Sequence, residues 1–210
     1  MTTIYIKEGT ELPKRVEFDV YETEKPLIRA ALAKLPKQIL KTQDLFILDI
    51  GCGSGRWGEV YKELQPKCTV HGIEIRDIPD NPAYDKVYHG NFADIVLERK
   101  YNLIIGNPPY KFAEEIIRYG WQYLANNGQM AMLLRLAFQA GSKRAKDLWQ
   151  NIYPWQVSVC SRRPSFLGDG GTNGTDYGIF YWAKNELGNT YGTPGQWFTN
   201  LLEFEREIKN

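Results

Sequence analysis

An apolar segment that runs directly into a glycine-rich loop constrains the fold of this 210-residue chain more than any other feature. Residues 45–50 read as a buried strand, glycines follow at positions 51, 53 and 55, and residues 56–64 have a helical pattern. Glycines let the backbone approach a ligand closely, and the start of a helix offers free N–H groups. The loop has neither the Gly-Lys-Ser/Thr of a P-loop nor the G-x-G-x-x-G spacing of dinucleotide folds. The segment therefore predicts a strand–loop–helix unit that binds another kind of ligand.

Two acidic residues lie at the ends of the first two predicted strands. Asp49 precedes the glycine loop, where its carboxylate can accept a hydrogen bond from an ammonium group. Glu74 ends the strand predicted over residues 70–74, and an acid in this place holds a ribose diol in doubly wound folds. Taken alone, Glu74 also fits a solvated strand end, but the upstream glycine loop favours the ribose role.

The tetrapeptide Asn107-Pro108-Pro109-Tyr110 follows another apolar strand, residues 101–106. Its two prolines fix the backbone and donate no N–H, so the carbonyl groups of Asn107 and Pro108 lack matching donors nearby. The Asn107 side chain adds a further acceptor, and Tyr110 adds a flat ring. This arrangement suits a planar –NH2 group whose protons are accepted while its ring is stacked. The structural alternative is a simple Pro-Pro turn after a strand.

Together, residues 48–55, Glu74, 90–94 and 107–110 resemble the class I S-adenosylmethionine-dependent amino-methyltransferases with an N-P-P-Y motif, most of all the N6-adenine DNA methyltransferases. The resemblance implies S-adenosylmethionine as the cofactor. It implies a cofactor site made of Asp49, Gly51, Gly53, Gly55, Glu74, Asn91 and Phe92, and catalysis by Asn107, Pro108, Pro109 and Tyr110. The family usually has an aspartate where this chain has Asn91, so whether Asn91 or Asp94 contacts the adenine of the cofactor stays open.

Helical and strand patterns alternate along most of the chain, which predicts βα units and a mostly parallel sheet. The predicted helices cover residues 25–35, 56–64, 112–125 and 142–152, and the predicted strands lie near 45–50, 69–74, 85–88, 101–106, 129–136, 155–160 and 176–183. The last two strands have no helix between them and should pair antiparallel. We therefore expect an α/β fold with a doubly wound, mostly parallel seven-stranded sheet and an antiparallel final hairpin, the Rossmann-like fold of class I methyltransferases.

The length of the chain suits one domain with one substantial core. We expect a single methyltransferase domain over residues 1–210, with an N-terminal segment and helix at 1–40 and a catalytic core at 45–185. A tail at 186–210 should end in a short charged helix. The chain has no run of about 18 apolar residues, no signal-peptide core and no C-x-x-C pair among its three cysteines. We therefore expect a cytoplasmic protein without a membrane span or a metal site.

Positive charge is concentrated in one part of a chain whose net charge is only +1. Residues 135–163 contain six basic residues against one acidic residue, which is a local net charge of +5. A basic block on an otherwise acidic chain is typical of phosphate contacts. The alternative is a solvated helix face next to a basic loop.

A long glycine-rich loop, residues 161–175, joins the last two predicted strands. Long loops in compact domains are usually functional or disordered. This one resembles the loop of N6-adenine methyltransferases in which an aromatic residue helps to hold the target base. The resemblance places Phe166 across the base from Tyr110 and gives Arg162 and Arg163 phosphates to contact, while a floppy hairpin loop is the structural alternative.

The expected function is methyl transfer from S-adenosylmethionine to an exocyclic amine, with N6 of adenine in DNA as the favoured target. A base in duplex DNA has to be extruded to reach such a pocket. The alternatives are an RNA methyltransferase acting on adenine N6 or guanine N2, a protein glutamine methyltransferase, and a non-catalytic nucleic-acid-binding or activating subunit. The expected partner is nucleic acid, DNA rather than RNA, and a protein partner for target recognition is also expected because no recognition insertion is evident.

Overall fold

Eight strands form one sheet in the computed structural model, which describes residues 21–42, 44–79, 81–166, 172 and 174–207. The strands are β1 (Phe46–Ile50), β2 (Thr69–Glu74), β3 (Lys86–His89), β4 (Tyr101–Gly106), β5 (Leu124–Arg135), β6 (Gln156–Cys160), β7 (Tyr177–Ala183) and β8 (Phe198–Leu202). The α-helices of the same residues are α1 (Lys25–Ala33), α2 (Lys37–Leu40), α3 (Arg56–Leu64), α4 (Ala113–Tyr123), α5 (Ser142–Lys146) and α6 (Leu148–Asn151).

The strand order is β3-β2-β1-β4-β5-β7-β6-β8. Strands β1 to β5 pair in parallel with their neighbours, whereas β7 pairs antiparallel with both β5 and β6. The predicted α/β fold, with a mostly parallel sheet and a final antiparallel hairpin, is therefore confirmed. The order of strands reverses between β1 and β4, which is where open α/β sheets bind ligands.

The tail does not end as the sequence predicts. The expected charged helix is wrong, because residues 198–202 form β8, an eighth strand that pairs in parallel with β6. Leu202 is fully buried in the core, and Ser158 Oγ donates a hydrogen bond to Asn200 Oδ1 over 2.5 Å. Burial of one apolar side chain and a complete strand pairing outweigh the charges of the residues that follow. Residues 208–210 lie outside the described part of the chain.

Helices cover both faces of the sheet, and the alternation of side chains along each strand divides the core in two. In β1, Ile47 packs with α1 and α3, while its neighbour Leu48 packs with α4 on the other face. Helix α1 follows from its sequence, since Pro26 lies in the first turn and four apolar residues recur at helical spacing, Leu27, Ile28, Ala31 and Leu32, all of them buried.

The helix predicted over residues 142–152 is interrupted. Asp147 has φ −120° and ψ −68°, outside helical values, so α5 and α6 are separate short helices. Asp147 pairs instead with Arg118 of α4, with Nη2 and Oδ2 3.1 Å apart. No helix in the described ranges is long and apolar enough to cross a membrane. Within those ranges, no cluster of three or more histidine, cysteine, aspartate or glutamate side chains is arranged to hold a metal ion.

Candidate active site

The glycine loop and the N-P-P-Y tetrapeptide meet because β1 and β4 are neighbours. Both segments follow the carboxyl ends of these parallel strands. A Cβ atom at Gly106 would lie only 3.0 Å from Ile50 O, so a residue without a side chain is needed where the two strands end. A Cβ atom at Gly51 would lie 3.6 Å from Pro109 Cδ, which is van der Waals contact between the loop and the tetrapeptide. The two motifs thus form one site.

The backbone of the glycine loop is tied to β2. Gly51 N and Cys52 N both donate to Ile73 O, over 2.8 and 3.0 Å, and Gly53 N donates to Glu74 Oε2 over 2.8 Å. The φ angles of Gly51, Gly53 and Gly55 are +76°, +56° and +93°, a region that side chains other than glycine rarely adopt. The loop is therefore a fixed turn without side chains on its glycines, which suits close approach by a ligand.

Glu74 is 3% exposed and its carboxylate has several donors. Oε1 accepts from Arg76 N at 3.0 Å and from Arg76 Nε at 2.8 Å, while Oε2 accepts from Gly53 N and from Arg76 Nη2 at 3.2 Å. Burial by itself raises the pKa of Glu74, but the hydrogen bonds and charge of Arg76 outweigh it and lower that pKa. Glu74 is therefore an ionised acceptor at the end of β2, where a ribose diol was expected.

Asp49 is fully buried beneath the loop. Its Oδ2 accepts a hydrogen bond from the Tyr84 hydroxyl at 2.5 Å, and its Oδ1 has no hydrogen-bond partner among the described residues. Burial raises the pKa of Asp49 to about 7, the Tyr84 hydrogen bond acts against this, and the negative charge of Glu74 adds to it. One buried oxygen thus remains able to accept a proton from a ligand, which fits the expected ammonium contact.

Asn91 and Phe92 lie at the same edge of the sheet as Glu74, because Gly90 N donates to Glu74 O over 2.9 Å. Asn91 Oδ1 accepts from Ala93 N at 3.1 Å and so caps a short 3₁₀-helix, Phe92–Asp94. The Phe92 ring packs against Tyr119, with centroids 5.5 Å apart. An amide oxygen has a second lone pair, so capping leaves Asn91 able to accept from a ligand.

Asn107 is held from both ends of its amide. Its Nδ2 donates to the main-chain oxygen of Tyr21 over 3.1 Å, and its Oδ1 accepts from the Tyr110 hydroxyl over 2.8 Å. Burial, followed by the proximity of Tyr177, raises the pKa of Tyr110 well above its usual range, so its hydroxyl remains a donor. The orientation of the Asn107 amide is therefore fixed, with one lone pair of Oδ1 still available to an incoming amine.

Four aromatic rings surround the end of the tetrapeptide. Tyr110 is stacked with Tyr21 at 29° between planes and 6.3 Å between centroids, and it lies 5.5 Å from Tyr177. Phe166 is 5% exposed and meets Tyr21 and Tyr177 edge-on at 5.0 and 5.1 Å. Phe166 thus belongs to the same cluster as Tyr110, as the loop resemblance implied, but Tyr21 contacts both of them.

The two arginines that follow β6 have different environments. The Arg162 guanidinium lies 4.3 Å from the Phe204 ring centroid and 3.6 Å from Glu24 Oε2, and its Nε donates to Phe204 O. Both of its Nη atoms are buried, so this side chain offers a phosphate little surface and differs from the expected role. Arg163 is exposed and pairs with Asp176 at 3.0 Å. Residues 167–171 and 173 of this loop lie outside the described part of the chain.

Several residues of the site carried no recognisable sequence signal. Arg135 is exposed at the end of β5, and its guanidinium lies 5.0 Å from the Tyr110 ring centroid. Tyr84, Arg76 and Tyr177 contact Asp49, Glu74 and Tyr110, respectively. The position of Arg76 two residues after the strand-end acid was a signal that sequence reasoning had available; the other contacts depend on tertiary packing.

Comparison with known proteins supports a methyltransferase assignment. The model of a family described as "Methyltransferase small domain" matches residues 29–152. A curated relative, ribosomal RNA small subunit methyltransferase C of Haemophilus influenzae (strain PittEE), is 29% identical over 129 residues, which are 53% of this chain. The match covers 37% of the length of that relative.

Two solved structures share the fold at low identity. One is a Listeria monocytogenes protein assigned to the class I S-adenosylmethionine-dependent methyltransferases, with a TM-score of 0.63 and 15% identity over 88% of this chain and 67% of the other. The second is the M protein of the type I restriction enzyme EcoKI, with a TM-score of 0.55 and 15% identity over 80% of this chain and 45% of the other. At such identity these similarities concern the fold alone.

Proposed function

This chain belongs to the methyltransferase small domain family, and on that premise we propose that it methylates the exocyclic amine of a nucleic-acid base, with N6 of adenine in DNA as the first candidate. The family and the class I fold confirm S-adenosylmethionine as the cofactor. The observation that carries the proposal is Asn107, whose amide is oriented by Tyr21 and Tyr110 at the end of β4, in contact range of the glycine loop.

The residues around the glycine loop fit the cofactor. The loop has no side chains at Gly51 and Gly53, Asp49 has a buried oxygen without a partner, and Glu74 is an ionised acceptor at the strand end. We assign Asp49 to the ammonium group and Glu74 to the ribose diol. Arg76 contacts both oxygens of Glu74, so ribose hydroxyls compete with it for that carboxylate.

Asn107 Oδ1 and the Pro108 carbonyl oxygen would each accept one proton of the substrate amine. Accepting these protons localises the nitrogen lone pair, which is otherwise delocalised into the ring, and stabilises the positive charge that develops on nitrogen. S-adenosylmethionine, when bound, supplies a methyl group on a positively charged sulfur. Tyr110 contributes a hydroxyl that holds Asn107 and a ring beside which the base would stack.

A base in ribosomal RNA is the second candidate. The relatives reported above are named ribosomal RNA methyltransferases, and their similarity is at the level of sequence as well as fold. The acceptors at Asn107 and Pro108 suit adenine N6 and guanine N2 equally, because both are exocyclic amines attached to an aromatic ring. Recognition of a particular sequence would require additional contacts, and a protein partner for recognition remains part of the proposal.

Methyl transfer from radiolabelled cofactor onto separate substrates tests the proposal. The substrates are duplex DNA, single-stranded DNA, RNA and a protein fraction, each followed by nucleoside or amino-acid analysis. Labelled N6-methyladenine from DNA supports the first candidate, and a labelled base from RNA alone supports the second. Labelled methylglutamine, or no transfer together with intact cofactor binding, would contradict methylation of a base.

A further inference from the structure

Tyr21 occupies the place at which a substrate ring is expected to lie. Its ring is stacked with Tyr110 at 29° between planes, and it meets Phe166 edge-on at 5.0 Å. These are the two rings between which the target base was expected. The main-chain oxygen of Tyr21 also accepts from Asn107 Nδ2 over 3.1 Å. One residue therefore contacts the catalytic amide and both aromatic residues of the expected pocket.

The residues next to Tyr21 are anchored firmly. Thr23 Oγ1 accepts from Trp57 Nε1 at 3.3 Å, and Thr23 is 2% exposed. Glu24 is 3% exposed and accepts from Ser165 N, with Arg162 Nη1 3.6 Å from its Oε2. Tyr21 itself is only partly buried, so its contacts with the site are lateral packing rather than full enclosure. Its ring can leave Tyr110 while the anchors at Thr23 and Glu24 remain in place.

A planar substrate that stacks on Tyr110 competes with Tyr21. Both the exchange of one ring for another and the loss of the Phe166 edge contact concern aromatic packing, which has similar strength for tyrosine and a base. The exchange is therefore close to balanced, and the substrate's polar contacts decide it. A residue in this position lets the pocket stay filled until a ring that also binds Asn107 arrives.

We propose that Tyr21 is the gate of the substrate pocket, whose ring fills the space beside Tyr110 in the free protein and leaves it when a planar amine binds. The inference rests on the proposed function, because it assumes that the substrate amine belongs to an aromatic ring. It concerns substrate selection: a flexible aliphatic amide offers no stacking in exchange for Tyr21, whereas a base does. Tyr21 is a positioning and selecting residue rather than a catalytic one.

Binding of a fluorescent ring, 2-aminopurine 2′-deoxynucleoside, tests the gate without cofactor and without turnover. Its fluorescence is quenched on stacking. Tyr21→Ala should bind it about tenfold more tightly than the natural protein, because the ring that has to be displaced is missing. Tyr21→Phe keeps the ring and should bind as the natural protein does. Tyr191→Ala is the matched control, since Tyr191 is 58% exposed and is not part of the aromatic cluster around Tyr110.

A second measurement guards against a Tyr21→Ala protein that does not fold. In otherwise unchanged protein labelled with 3-fluorotyrosine, the ¹⁹F resonance of Tyr21, assigned from Tyr21→Phe, should shift on saturation with the probe. Adding Tyr110→Ala to Tyr21→Ala should remove the gain in affinity. The proposal is overturned when Tyr21→Ala binds the probe no better than the natural protein, when the gain survives without Tyr110, or when the Tyr21 resonance does not move. Absence of methyl transfer, by contrast, would overturn only the proposed function.

Discussion

The Tyr84 hydroxyl links Asp49 to helix α3, donating to Asp49 Oδ2 over 2.5 Å and accepting from Gly58 N over 3.1 Å. Tyr84 also lies directly against Gly58, where an added Cβ would be 2.5 Å from the ring. The hydroxyl therefore connects the acid below the glycine loop with the helix that follows the loop. Support of the cofactor site from beneath depends on this one side chain.

Tyr84→Phe should lower the free energy of unfolding by about 1–3 kcal/mol, because it leaves buried polar partners without a hydrogen bond. Urea unfolding followed by circular dichroism measures the change. Tyr191→Phe is the matched control, since Tyr191 is exposed, and its stability should stay within about 0.5 kcal/mol of the natural protein. Equal stability of the two variants would show that the Tyr84 hydroxyl does not support the loop.

Asp49 should make stability depend on pH in the neutral range. Burial raises the pKa of its carboxyl in the folded protein to about 7, above the value of 3.8 expected for the unfolded chain. Such a group stabilises the folded state fully below pH 3.8, and that contribution is lost as pH rises through 7. The free energy of unfolding should therefore decrease from pH 5 to pH 8.

Comparison of Asp49→Asn with the natural protein isolates this effect from other groups that titrate, such as His71, whose pKa is lowered by burial. The difference in unfolding free energy between the two proteins, measured with urea at pH 5, 6, 7 and 8, should change steadily through pH 7. A difference that is constant with pH would mean that Asp49 is not protonated in the folded protein.

Gly53→Val should abolish binding of S-adenosylmethionine. The side chain would stand on the ligand-facing turn of the loop, with its Cβ 3.3 Å from Arg76 Nη2. Isothermal titration calorimetry measures the affinity. Gly195→Val is the matched control, because Gly195 also has a positive φ, +72°, yet has open space around it. Undiminished affinity in Gly53→Val would remove the loop from the cofactor site.

Asn107→Ala should lower kcat by on the order of 10²–10³, as expected for loss of one preorganised polar group. Cofactor affinity should change little, because Asn107 contacts Tyr21 and Tyr110 rather than the glycine loop. Turnover on the identified substrate and calorimetry with cofactor measure the two effects. Asn126→Ala is the control, since Asn126 is remote in sequence and bonds to Glu186 O. Wild-type turnover in Asn107→Ala would contradict the role of amine acceptor.

Arg135 and Arg162 should differ in their contributions to nucleic-acid binding. Arg135→Ala removes an exposed cation 5.0 Å from the Tyr110 ring and should flatten the dependence of log affinity on log salt by about one. Arg162→Ala leaves the buried Glu24 carboxylate without its cation and should instead lower the free energy of unfolding by up to about 3 kcal/mol. Salt titrations of binding and urea unfolding of both variants check this.

Arg163→Ala provides the contrast for Arg162→Ala. Its ion pair with Asp176 is exposed, so its loss should change stability by no more than about 1 kcal/mol. Should Arg162→Ala keep full stability and flatten the salt dependence, the side chain contacts phosphate and its packing against Phe204 is secondary. The reverse assignment for Arg135 would exclude a phosphate next to Tyr110.

The sequence by itself determined the strand–loop–helix unit at residues 46–64, the end of β2 at Glu74 and the tetrapeptide after β4. Each is a local pattern: an apolar strand, a glycine or proline constraint on the backbone, and the start of the next element. Parallel pairing of β1 with β4 then follows from alternating strands and helices, since the crossover rules allow few arrangements.

Only the tertiary structure decided which side chains complete the site. The Asn107 amide is held by Tyr21, 86 residues away in sequence, and Arg162 is packed against Phe204, 42 residues away. No local pattern encodes such contacts, because they depend on how distant segments pack around the same sheet. For the same reason β8 was not expected: its five residues are a strand because β6 has a free edge beside them and Leu202 has a core to enter.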